Sequence, residues 1–148
     1  MNLQRATSDD LEALTALQHA AYARNREILG VEPIPLQIDY REVLASKEVW
    51  LSFDGEHLQG ALILEPLSDH LLIWSIATDP SGQQKGLGKA LLAAAEERAR
   101  SLRYKTVRLY TGTLLTHLVA WYGRHGYTTE RVEERPDRSI THMIKVLS

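Results

Sequence analysis

Leu71-Leu72-Ile73-Trp74-Ser75-Ile76-Ala77-Thr78, then Asp79-Pro80-Ser81-Gly82, then Gln83-Gln84-Lys85-Gly86-Leu87-Gly88-Lys89-Ala90-Leu91-Leu92: this stretch decides the fold. Its first segment is apolar and rich in β-formers, and its second is turn chemistry. Its third opens a run in which Leu87, Leu91, Ala94, Ala95 and Leu102 fall roughly on one helical stripe. Strand, tight loop and helix in that order aim backbone N–H groups and a positive dipole end at one spot. Such a spot suits a phosphate or pyrophosphate, and glycine lets the backbone approach it with no Cβ in the way. A turn that serves only the chain's own geometry is the competing reading.

Working outward, the helix predicted from Gly86 to about Leu102 leads into a strand at Thr106-Val107-Arg108-Leu109-Tyr110. That strand should lie parallel to Leu71–Thr78, with a right-handed crossover. Upstream, Val49–Phe53 and Leu58–Leu64 flank the hairpin turn Asp54-Gly55, and His70–Thr78 follows as the next strand. Leu3–Ala6 reads as a short first strand. Leu11, Leu14, Leu17 and Ala21 predict a helix to about Arg24, with Asp9 and Glu12 in a capping-box-like spacing. Pro33 and Pro35 break any helix from Gly30 to Pro35, and Asp39–Ala45 reads as a second short helix. Downstream, a helix over about Leu114–His125 stops at Gly126, and Tyr127–Glu133 with Thr141–Val146 close the chain as a hairpin.

The spacing of the glycines discriminates between phosphate loops. A G-x-x-x-x-G-K-[ST] loop counted from Gly82 would need glycine at Leu87, and Lys89 is followed by Ala90. A dinucleotide G-x-G-x-x-G would need glycine at Leu91. Q-x-x-G-x-G, as Gln83, Gly86 and Gly88, fits and resembles the acyl-CoA pyrophosphate loop of the GNAT N-acetyltransferase superfamily. Tyr122, Gly126 and Tyr127 are similar to that superfamily's later motif, at a similar separation. The likeness runs from the strand at Leu3 to the last strand near Lys145. It implies an α+β (mixed α/β sandwich), acyl-CoA N-acyltransferase-like fold, a mixed central sheet of about 6–7 strands with about 4 helices.

The resemblance also implies an activity, transfer of an acetyl group from acetyl-CoA to a primary amine of a small molecule or peptide. It implies that the two parallel strands splay apart, leaving backbone groups along Ile76, Ala77 and Thr78 for the amides of a pantetheine arm. The pyrophosphate would then lie on the amides from Gln84 through Lys85, Gly86, Leu87 and Gly88 to Lys89, with Gln83 as an added side-chain donor. Lys85 and Lys89 either supply charge there or are solvated. Tyr122 stands where the family has its general acid. A phenol with pKa about 10 lies not far above a thiol near 8.5, so it can assist a departing thiolate. The alternative for Tyr122 is a core tyrosine with a satisfied hydroxyl.

Two departures from the family pattern stand out. Many members carry an acidic residue four positions before that of Thr78, and this chain has Trp74. The base is then a water chain, Glu65, Asp69 or His117, and the alternative for Trp74 is core packing. The stretch Thr113–Leu118 lacks the cofactor-contacting Asn of many relatives. Candidates for the amine site are Tyr22, Arg24, Glu27 and Tyr40 on the first two helices and their link, with Trp74 and His117. A non-catalytic acyl-CoA-binding sensor is the second reading, and an NTPase is disfavoured by the glycine count.

Composition narrows the classes further. A chain of 148 residues predicts one domain. It contains no cysteine, so a disulfide framework, a thiolate metal site and a cysteine nucleophile are excluded. Its six histidines have no metal-ligand spacing, so no metal is expected. The formal charge of −2, without a basic block, gives no support for nucleic acid or an anionic membrane. No apolar run approaches a span of roughly 20 residues. The expectation is a soluble cytoplasmic protein, a monomer or homodimer.

Overall fold

The computed structural model of the chain describes residues 2–82 and 85–148. Its elements run β1 (Gln4–Arg5), α1 (Leu11–Tyr22), α2 (Asn25–Leu29), α3 (Tyr40–Ser46), β2 (Glu48–Asp54), β3 (His57–Pro66) and β4 (Leu71–Thr78). The chain continues with α4 (Leu87–Ser101), β5 (Thr106–Gly112), α5 (Thr116–Arg124), β6 (Thr128–Glu134) and β7 (Ser139–Val146). The capping box that precedes α1 pairs Thr7 with Asp10 and not the expected Asp9 with Glu12. The Thr7 hydroxyl accepts from the Asp9 N–H at 3.3 Å, and the Asp10 carboxylate accepts from the Thr7 N–H at 2.8 Å. Helix α2 is absent from the sequence reading, because five residues are too few for a 3.6-residue period to register. It ends at Gly30, whose φ of 72° is a left-handed cap open to glycine at little cost.

The seven strands form one sheet in the order β1-β2-β3-β4-β5-β7-β6. Every pairing is antiparallel except β4 with β5. Side chains alternate across it as a pleated sheet requires. Leu62 and Leu64 of β3 join Leu91, Leu92 and Ala95 of α4, whereas Ala61 and Ile63 join Leu14 and Leu17 of α1 and Val43 of α3. Helix α4 therefore covers one face and α1 with α3 the other. Helix α5 adds Trp121 and Tyr122 to the α4 side. Among the described residues no helix is long and apolar enough to cross a membrane.

Two features of β4 shape the site. Leu64 pairs with Ile73 and Ile63 with Ser75, so Trp74 is an extra residue in the strand. Such a bulge bends the strand and places neighbouring side chains on one face. Accordingly, Ile73 packs in the α4 core, Trp74 packs against the α1–α3 core, and Ser75 also bonds to α1. The second feature is the seam with β5. Its register consists of Leu71–Val107, Leu72–Arg108 and Ile73–Leu109, after which β4 continues to Thr78 and β5 to Gly112 unpaired with each other. The sheet opens into a wedge where the bulge begins.

Candidate active site

The wedge exposes one edge of β4. The Asp79 N–H donates to the Gln59 carbonyl of β3 at 2.9 Å. Because successive residues of a strand face opposite neighbours, Ala77 also turns its backbone to β3, while Ile76 and Thr78 turn theirs into the wedge. This corrects the expectation for Ala77: it lines the cleft, but its backbone groups belong to the β3 ladder. The Ile76 carbonyl accepts from the Tyr22 hydroxyl at 3.3 Å, leaving the Ile76 N–H and both groups of Thr78 directed at the opening.

Two cavities meet in this wedge. The larger, about 480 Å³, runs along Ala77 and Thr78 to Gly86, Gly88 and Lys89, with Trp121 on the far wall. Gly86 has φ 80°, and among the described residues no side chain caps α4, so its first N–H groups are left for the cleft. A Cβ at Gly88 would find its nearest neighbour, Trp121 Cζ2, at 3.9 Å. Arg24, Arg124 and His117 line the same cleft, so it is walled by cationic and neutral groups. The smaller cavity, about 140 Å³, lies between β4, β5 and the Pro33–Pro35 link, with Trp74 and Tyr110 in its wall. Tyr22, Asn25, Ile76, Leu118 and Tyr122 line both.

Tyr122 thus stands at the junction. Its ring is held edge-on by Trp121 at 5.0 Å and Tyr127 at 5.8 Å between centroids. Its hydroxyl has no hydrogen-bond partner among the described residues. Burial, with a smaller contribution from Tyr22, holds its pKa well above the usual phenol value, so it stays protonated. Tyr127 differs, because its hydroxyl donates to the Glu96 carboxylate at 2.9 Å inside the α4 core.

Tyr22 is tied down by a buried chain of hydrogen bonds. The Gln18 amide donates to the Tyr40 hydroxyl and to Ser75 Oγ, each at 3.1 Å. Ser75 Oγ lies 2.7 Å from the Tyr22 hydroxyl, and Tyr40 donates to the Pro35 carbonyl at 2.7 Å. Tyr40 therefore braces the Pro33–Pro35 link and lines neither cavity. Trp74 lines the smaller one, edge-on to Tyr40 at 6.2 Å, with Lys47 Nζ 5.8 Å from its ring.

The remaining candidates disperse. Arg24 and His117 sit on the glycine-loop side of the junction, and Glu27 is exposed and lines neither cavity. Glu65 pairs with Lys47 at 3.2 Å and Asp69 bonds to His70 Nδ1 at 2.7 Å, both away from the cavities. Lys85 is exposed, Leu87 is buried under α4, and Gln83 and Gln84 lie outside the described residues. Sequence reasoning missed Asn25, Ser75, Gln18 and Arg138. Only the turn position of Arg138 could have flagged it, since isolated polar residues such as Asn25 carry no periodic signal.

The sequence profile of the acetyltransferase (GNAT) family matches residues 11–127. The chain belongs to this family. The uncharacterized N-acetyltransferase YvbK of Bacillus subtilis (strain 168) is 29% identical over 93 residues, covering 62% of this chain and 60% of that protein. The chain spans less than two thirds of the length of the curated relatives it matches. The GNAT fold is borne out by solved structures. Ribosomal-protein-S18-alanine N-acetyltransferase from Escherichia coli superposes with a TM-score of 0.81 at 16% identity, covering 99% of this chain and 94% of that one. PaiA N-acetyltransferase from Thermoplasma acidophilum, crystallised with coenzyme A, gives 0.78 at 16% identity over 99% and 100%. The seven-stranded mixed sheet agrees with the sequence expectation, and the described residues add a fifth α-helix to the four anticipated.

Proposed function

We propose that this chain transfers an acetyl group from acetyl-CoA to a primary amine. One observation carries the reading: the wedge between β4 and β5 opens onto the N-terminus of α4, which no side chain caps among the described residues, and the Tyr122 hydroxyl, with no partner among them, stands at its inner end. The residues fit the molecule. Ile76 and Thr78 offer strand-edge groups to the amides of a pantetheine arm, and the first amides of α4 offer an anion site for its pyrophosphate. Arg24, Lys89 and Arg124 add positive charge along the cleft.

The bound thioester supplies an acyl carbon whose leaving group is a thiolate. Tyr22 holds the β4 edge in position through Ser75 and the Ile76 carbonyl. Tyr122 then donates its phenolic proton, as a hydrogen bond or outright, to the departing sulfur. Burial makes the phenol a weaker acid, but the same burial raises the basicity of a thiolate beside it, so the two stay matched. Asn25 brings an amide to the junction with no hydrogen bond among the described residues, free to orient the amine or the acyl oxygen. With Trp74 in place of a carboxylate, the amine loses its proton to solvent.

Titration calorimetry with CoA, acetyl-CoA and ATP, followed by thiol release against an amine panel, tests this. Binding of both CoA species with release of free CoA on adding an amine is expected. Binding without release from any amine favours a sensor instead, and ATP binding in place of CoA refutes both.

A further inference from the structure

The smaller cavity has a composition that restricts what it can hold. Its volume of about 140 Å³ is close to that of an engineered apolar cavity that accepts benzene, so it fits one ring or a branched side chain of similar size. Leu29, Ile34, Ile73, Leu109, Leu115 and Ile140 make most of its wall apolar. No aspartate or glutamate lines either cavity among the described residues. An ammonium group placed here would touch no carboxylate among the described residues.

One charged side chain does line it, and that charge is positive. Arg138 sits on the β6–β7 turn, closed by Arg135 N–H to the Arg138 carbonyl at 2.8 Å. Its side chain is 13% exposed, yet its one charged partner among the described residues is Asp137 Oδ2, at 3.1 and 3.3 Å from Nη2 and Nε. Asp137 is itself 57% exposed and faces solvent. The Arg138 Nη1 group has no partner among the described residues. A guanidinium so enclosed, with donors left over at the edge of an apolar cavity, is suited to a carboxylate, which it grips with paired N–H groups.

Resting on the acetyltransferase reading, the geometry points to an acceptor class: a primary amine on a small apolar body that also carries a carboxylate. Its ring or branched chain fills the cavity, its carboxylate meets Arg138, and its nitrogen reaches the Tyr22–Tyr122 junction. Apolar amino acids and amino-aryl carboxylates have this form, and polyamines do not. In the transfer, nitrogen forms a bond to the acetyl carbon, the carbon–sulfur bond breaks, and the proton lost by nitrogen ends on solvent while sulfur leaves as the thiol.

Calorimetry on the intact protein saturated with CoA tests the assignment. The probes are L-phenylalanine and 4-aminobenzoate, their amides L-phenylalaninamide and 4-aminobenzamide, and spermidine. At least one acid should bind about 10- to 100-fold more tightly than its amide, with spermidine weakest. Arg138→Met should abolish the acid preference and leave CoA affinity unchanged, and Arg138→Lys should keep part of it. The wild-type comparison decides alone if Arg138→Met does not fold. Amides binding as well as acids, spermidine preferred, or no probe binding while CoA binds overturns the acceptor class and leaves the acetyltransferase reading standing. Failure to bind CoA sinks that reading itself.

Discussion

Replacing Tyr122 by phenylalanine separates a catalytic tyrosine from a packing one, because the two roles predict opposite patterns. The ring contacts with Trp121 and Tyr127 survive the change, and the hydroxyl has no partner among the described residues to orphan. Stability should therefore change by less than about 1 kcal/mol, whereas a hydroxyl satisfied in the core would leave its partner stranded at a cost of about 1–3 kcal/mol. For a domain of this size the first case moves Tm by less than about 4 °C. CoA affinity by calorimetry should stay the same. The acetyl-transfer kcat should fall by about 10²–10⁴, the range for loss of a general acid, which is about 2.7–5.5 kcal/mol of barrier. Thiol release with an accepted amine measures kcat, and a solvent isotope effect checks that chemistry limits it. An unchanged kcat under that condition, or a Tm drop well beyond 4 °C, would refute the assignment.

Further outcomes follow from the same geometry. Gly86→Val forces a β-branched residue into φ 80° and Gly88→Val fills the space facing Trp121, so each should weaken CoA binding measurably in folded protein. Full affinity in the double variant would contradict the loop site. With an alkyl amine, kcat/KM should climb with pH toward the amine's own pKa near 10.4, because no carboxylate among the described residues lines either cavity. Tyr122, its pKa raised by burial, should add no falling limb below about pH 10. A rising limb that disappears in His117→Ala would make His117 the base. Glu48 is buried, which alone would raise its pKa, but hydrogen bonds from Arg98 (2.6 and 3.1 Å) and Trp50 (2.8 Å) outweigh this and hold it below the usual carboxylate value. Its contribution is present above the unfolded glutamate pKa of about 4.3 and is lost as pH falls through the lower folded value. Arg98→Met should cost about 1–3 kcal/mol at pH 7 in denaturant unfolding, with the difference from wild type shrinking in acid.

The sheet and its crossover are legible in the sequence because they rest on long periodic signals. The apolar runs Ala61–Leu64 and Leu71–Ala77 and the stripe of α4 each span enough residues to register. The parallel pair follows from a strand–helix–strand order that has one common handedness. What escapes is local or tertiary. A bulge at Trp74 is a register relation between two strands, and neither strand's sequence contains it. Arg24 and Tyr40 read as equivalent polar candidates from sequence, yet folding sends one to the glycine-loop cleft and the other into a buried brace behind the site. The side chains that give the smaller cavity its character come from the α2 region, β4, β5 and the β6–β7 turn, which only folding brings together.

The three-pair seam between β4 and β5 has a mechanical consequence. It divides the sheet into a four-stranded block and a three-stranded block, each antiparallel throughout. Opening fluctuations that part the two blocks should begin at this joint, where only three residue pairs hold them together. Amides of Ile76 and Thr78 should then exchange with solvent far faster than those paired across β3, as hydrogen exchange can record. A chain-like molecule bound in the wedge acts as a splint across both blocks, adding about 2.7 kcal/mol at a hundred times its Kd. The resistance of such a protein to proteolysis would rise and fall with the supply of that molecule.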